Sequence, residues 1–109
     1  MSSARWERLA EDLRAAGFDV RLDAKAYQQT YRGRPESGVS YSVFFKIPGK
    51  GAVGICDKWW TKNPGKWVGW EVWAEGTDSI TIGRPSRWTK KYSEAVEAFR
   101  AAVKTVEAR

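Results

Sequence analysis

Histidine is absent from this chain and cysteine occurs once. Without histidine the commonest general base and metal ligand is missing, so Ser-His-Asp and Cys-His arrangements are excluded. A zinc site would have only Cys56 to draw on. A lone cysteine also excludes an intrachain disulfide, which fits a reducing compartment. No apolar run approaches the length that spans a bilayer. Residues 1–17 mix Arg and Glu with apolar side chains and lack the hydrophobic centre of a secretory signal. The expected location is therefore the cytoplasm, without membrane contact. No Walker-type phosphate loop occurs, because Gly49-Lys50-Gly51 is too short and falls in a hairpin. These absences point to a non-catalytic protein with no cofactor and no metal. The enzymatic alternative is a nuclease using Asp57, Glu71 and Glu75 around Mg²⁺. It is weakened because strand alternation puts Asp57 and Glu71 on opposite sides.

Tryptophan and positive charge are in excess. The 109 residues, one domain by size (1–109), include seven Trp and carry a net charge of +6. The charge is unevenly placed: residues 1–23 sum to −1, 24–57 to +3, 58–91 to +4 and 92–109 to zero. A basic middle attracts polyanions such as nucleic acid or an acidic protein surface. The alternative is that the charge keeps a Trp-rich chain soluble.

Periodicity divides the chain into α, strands, α. Ser3 is placed to cap a first helix in which Trp6, Leu9 and Leu13 recur at helical spacing, and Gly17 is placed to end it. Phe18, Val20 and Leu22 alternate with Asp19, Arg21 and Asp23 as a short strand. Tyr27, Gln29 and Tyr31 either continue that strand or form a second piece. Arg32 to Gly38, with Gly33 and Pro35, reads as a turn or exposed loop. Tyr41, Val43, Phe45 and Ile47 alternate in a strand that turns at Pro48–Gly51 into Val53 and Ile55, continuing to about Trp60. Asn63-Pro64-Gly65 turns into a strand from Trp67 to Glu75, and Gly76-Thr77-Asp78 into a short one from Ser79 to Gly83. Arg84 to Lys91 is a basic connector. Ser93 is placed to cap a last helix with Val96, Phe99, Val103 and Val106 on its apolar stripe. The expected fold is α+β: a four- to five-stranded antiparallel meander with the N-terminal and C-terminal helices on one face.

Two helices cover only one face of such a sheet. The covered face takes Tyr41, Val43, Phe45, Ile47, Val53, Ile55, Val68, Trp70, Val72, Ala74, Ile80 and Ile82. The opposite set is Phe44, Lys46, Cys56, Lys58, Trp60, Trp67, Glu71, Trp73 and Glu75. An open face is ordinarily polar, yet this one alternates large aromatics with lysines. Aromatics on an open sheet stack bases while lysines hold phosphates. The same set also suits a homodimer or partner-protein interface anchored on Trp. A one-residue register slip, or a loop folded over the face, would instead make these residues structural.

Two basic-aromatic segments complete the candidate site. Lys58, Trp60, Lys62, Lys66, Trp67 and Trp73 form the aromatic-basic surface around a turn, where they would contact a phosphate backbone or pack as cross-strand pairs. Arg84, Arg87, Lys90 and Lys91 precede the last helix, where cations beside exposed N–H groups suit a phosphate or form a solvated linker. The expected function is nucleic-acid binding. The rival is a small protein-binding module, for example a phage-type inhibitor or accessory factor, using the Trp face.

The order helix, antiparallel strands, helix resembles double-stranded-RNA-binding domains, which also place lysines at the start of the last helix, as Lys90-Lys91 before Ser93-Glu94-Ala95 do here. The chain departs from that family in having more sheet and none of its central glycine and histidine pattern. Four strands followed by a helix is also similar to single-stranded nucleic-acid binders built on a curved sheet. Both likenesses are of architecture, and no residue role is carried over from them.

Overall fold

The computed structural model describes residues 3–31, 33–57, 69–76 and 88–109. In chain order it contains helix α1 (Ala4–Ala15), strands β1 (Arg21–Tyr31), β2 (Arg34–Ile47), β3 (Gly51–Asp57), β4 (Trp70–Ala74) and β5 (Trp88–Thr89), and helix α2 (Tyr92–Glu107). The strands form one antiparallel sheet in the order β1-β2-β3-β4-β5. This is the α+β meander with terminal helices that periodicity predicts. Among the described residues, no helix is long and apolar enough to cross a membrane.

The local signals mostly act where expected. The carbonyl of Ser3 accepts the N–H groups of Trp6 and Glu7 at 3.0 Å, although its side chain makes no capping bond. Gly17, at φ 99°, ends α1 in a Schellman arrangement: Phe18 N–H donates to Leu13 O and Gly17 N–H to Arg14 O, both at 3.0 Å. The last helix corrects its expectation. Its N-cap is Lys91, so Ser93 lies inside the first turn. Thr89 supplies the hydroxyl there: Oγ1 accepts the Lys91 N–H at 3.1 Å and donates to Glu94 Oε2 at 2.6 Å.

Both helices bury their apolar stripes on one face of the sheet. α1 packs on β1 and β2, and α2 on β3, β4 and β5. Trp6, Leu9 and Leu13 join Phe99, Val103 and Val106 in one cluster with Val43, Ile47, Val53, Ile55, Trp70, Val72 and Ala74. Tyr41 and Phe45 pack against it, half-buried. The described part of the expected covered face is therefore correct in every strand. Each such large apolar side chain contributes about 1.5–3 kcal/mol when fully buried. Trp6 is the centrepiece, fully buried, stacked on Tyr41 at 6.0 Å and edge-on to Trp70 at 4.8 Å.

Two segments differ from expectation. The stretch expected as a loop is strand from Arg34 onward: β2 begins at Arg34 and pairs with β1 continuously from Tyr31↔Arg34 to Arg21↔Phe44. Tyr27, Gln29 and Tyr31 accordingly continue the first strand. Gly33, at φ 75°, sits in the two-residue connection. Pro35 is tolerated because its pair, Thr30↔Pro35, is next to the closing pair and so is a non-hydrogen-bonded one, in which the missing N–H would point away from β1. The result is a two-stranded arm whose described outer side chains, from Ala24 to Val39, are exposed with few exceptions. The second correction is the basic connector, of which Trp88 and Thr89 form an edge strand opposite Glu71 and Trp70. The expected turn at Thr61–Lys66, the strand at Ser79–Gly83, and residues Val68, Ile80 and Ile82 lie outside the described residues.

Candidate functional site

The site is the sheet face turned away from both helices. Strand register assembles it from rows. Leu22, Val43, Ile55 and Val72 form one cross-strand row on the helix side. The neighbouring rows, Arg21–Phe44–Gly54–Trp73 and Asp23–Ser42–Cys56–Glu71, point the other way because successive side chains alternate. Lys25 pairs with Ser40, and Lys46 with Ala52, to extend the same face at either end.

Gly54 shapes the middle of this face. A Cβ there would lie 2.4 Å from Trp73 Cζ2 and 2.5 Å from Cε2, so the indole lies across the β3 backbone in the space a side chain would occupy. Because Gly54 pairs with Phe44 on its other side, the indole extends toward Phe44. The two half-buried aromatics and the half-buried Ser40 and Ser42 floor an open depression of about 580 Å³, with Asp23 and Lys25 at its β1 side. Arg21, Lys25 and Lys46 are exposed, whereas Asp23 and Glu71 are half-buried. The Glu75 carboxylate is engaged by the Ala52 N–H at 2.9 Å. Three cations therefore stand out from this face, while Asp23 and Glu71 are half-buried and the exposed Glu75 carboxylate is held by a backbone N–H.

Among the expected site residues, Trp73 is on this face. Lys90 and Lys91 follow β5 at the opposite edge of the sheet from Arg21 and Lys25, at the start of α2. Lys91 is exposed and pairs with Glu94 at 3.9 Å. Lys58, Trp60, Lys62, Lys66, Trp67, Arg84 and Arg87 lie outside the described residues. Arg21, Lys25, Ser40, Ser42 and Gly54 were missed by sequence reasoning. The charge on alternate residues of β1 was a visible signal, but only the β1–β2 register puts it beside Phe44.

The register also bears on the carboxylates. Cys56 pairs with Glu71 and Asp57 with Trp70, so positions 57 and 71 fall on opposite sides of the sheet, as alternation predicts. Among the described residues no group of three His, Cys, Asp or Glu side chains is placed to hold a metal ion. Comparison with protein-family models, curated proteins and solved structures finds no match to this chain. The class is therefore defined by architecture alone: an α+β meander with one face covered by helices and one face that no described element covers.

Proposed function

We propose that this chain is a non-catalytic nucleic-acid-binding module that uses the open sheet face. The observation that carries the reading is the aromatic floor of Trp73 and Phe44 flanked by the exposed cations Arg21, Lys25 and Lys46. Aromatic side chains stack on bases whatever their sequence, and lysine or arginine at the margin neutralises phosphate. The chain-wide surplus of +6, concentrated between residues 24 and 91, works in the same direction. Lys90 and Lys91, with Lys58, Lys62, Lys66, Arg84 and Arg87, add phosphate contacts in this proposal.

The test is a titration of labelled mixed-sequence oligonucleotides, single- and double-stranded, at two salt concentrations, with heparin as a polyanion control. Binding that weakens steeply with salt and discriminates nucleic acid from heparin supports the reading. No binding to any oligonucleotide at low salt removes it. A protein-binding module is the second reading, favoured by one observation: Val39 is 42% exposed on the arm, the one exposed large hydrophobic among the described residues. Such an interface would respond little to salt.

A further inference from the structure

The outer edge of the sheet is long, and no described strand pairs with its outer side. β1 has eleven residues, stands at the end of the strand order, and contains neither proline nor glycine. Residues Ala26–Tyr31 carry no charge. Native sheets ordinarily blunt such an edge with proline, a bulge or isolated lysines, because its unpaired N–H and C=O groups template another strand.

Which groups face outward follows from one hydrogen bond. The Ala52 carbonyl accepts the Glu75 N–H at 2.9 Å, so residue 52 directs its backbone groups toward β4. Alternation then directs Val53 toward β2, its partner Phe45 toward β3, and Phe44 toward β1. Phe44 pairs with Arg21, so Arg21, Asp23 and Lys25 bond inward to β2. Leu22, Ala24 and Ala26 therefore turn their N–H and C=O groups out from the edge, where Ala24 and Ala26 are exposed.

We infer that β1 pairs antiparallel with β1 of a second copy about a two-fold axis at Ala24. Two conditions select this register. Outward-bonding residues must face one another, which Ala24 with its own copy and Leu22 with the copy's Ala26 satisfy. The charges must also agree: this register sets Asp23 opposite the copy's Lys25, twice, at the non-hydrogen-bonded positions where side chains approach most closely. An axis at Leu22 would pair only Arg21 to Asp23 before the strand ends, and one at Ala26 would leave Asp23 and Lys25 without charge partners. Lys25 would otherwise be a guard on this edge. With Asp23 two residues before it, the strand is self-complementary, and isologous pairing closes at two copies. The two open faces would then join into one surface centred on the cations of β1. This inference stands whether or not the face binds nucleic acid.

The test is molar mass in solution by light scattering over a concentration series of the full chain. A monomer–dimer equilibrium is expected. Ala24→Pro removes an outward N–H that the β1–β2 ladder does not use, so it should give a folded monomer. Asp23→Lys places like charges opposite each other and should weaken association roughly tenfold or more. Adding Lys25→Asp to it should restore the dimer. The charge exchange keeps the proposal testable should Ala24→Pro fail to fold. A wild-type chain monomeric at every concentration overturns the inference, as does a dimer indifferent to both substitutions.

Discussion

Trp73 lies across Gly54, with its indole where the glycine side chain would be. The relationship ties an aromatic of β4 to the backbone of β3 and makes the floor of the open face out of two residues that are neighbours only through the register. Any side chain at position 54 must evict the indole. Gly54→Ala is expected to destabilise the protein by about 1–3 kcal/mol, the usual range for overpacking. Because Trp73 is half-buried and can swing outward, the lower end is expected. In the Trp73→Ala background the same substitution should cost less, since nothing is left to displace. Urea denaturation of the four proteins of this cycle measures the coupling, and additive effects would mean that the contact is not present in solution.

Tyr92 joins the two helices and carries a pH signature. Its hydroxyl donates to Asp12 Oδ2 at 2.5 Å, its ring packs edge-on to Trp70 at 5.7 Å, and Arg8 lies 5.3 Å from the ring centroid. Burial first, and then the bond to the Asp12 carboxylate, hold the hydroxyl protonated well above its ordinary value of 10.0. The unfolded chain then loses this proton at a pH where the folded chain keeps it. Its contribution to stability is thus complete below pH 10.0 and declines as pH rises through and above that value. The slope should stay below the single-proton limit of about 1.4 kcal/mol per pH unit, because the group is partly solvated. Tyr92→Phe should lower stability by about 0.5–1 kcal/mol at neutral pH. The difference between the two proteins should shrink between neutral pH and the alkaline range in denaturant melts; a constant difference would contradict the assignment.

The sequence makes the fold legible wherever a strand has one wet and one dry face. Val43, Phe45 and Ile47, and Val53 and Ile55, alternate because α1 and α2 cover one side of β2 and β3. The arm lacks that signal. Along Ala24–Tyr31 and Arg34–Val39 none of the described side chains joins the core cluster, no apolar period marks a strand, and Gly33, Pro35 and Gly38 individually argue for a loop. Only pairing with β1 overrides them. Trp88-Thr89 is too short to show any period. The site divides similarly. Trp73 and Phe44 were readable from alternation, but the seat at Gly54 and the approach of Arg21 and Lys25 are cross-strand relationships, which local spacing does not encode.

The Trp6 indole is fully buried, and its Nε1–H has no hydrogen-bond partner among the described residues. An unsatisfied buried donor costs about 1–3 kcal/mol. Trp6→Phe removes that donor while keeping a ring against Tyr41 and Trp70, so the lost volume is largely offset. A net change within about 1 kcal/mol is expected, against about 3–5 kcal/mol for Trp6→Ala, which leaves only a cavity. Equal losses for the two variants in equilibrium unfolding would show that the donor is satisfied in solution.

The arm should be separable from the folded core. Lys25↔Ser40 is a hydrogen-bonded pair by the same alternation that places Tyr31↔Arg34, so replacing Ala26–Val39 with Asn-Gly would close the hairpin in register with a favoured two-residue turn. The residues removed include the exposed Val39, and none of the described ones belongs to the core cluster. An isolated two-stranded ribbon is at best marginally stable in water, so its loss should lower the melting temperature by no more than about 5 °C, equivalent to roughly 1 kcal/mol for a domain of this size. The comparison is made at protein concentrations low enough to keep both forms monomeric, since the deletion also shortens the pairing edge. A much larger drop in the thermal melt would mean that the arm folds back onto the core. An unchanged melt with lost protein partners would instead identify Val39 and its neighbours as a contact surface, because a segment that contributes little to folding is then kept for what it touches.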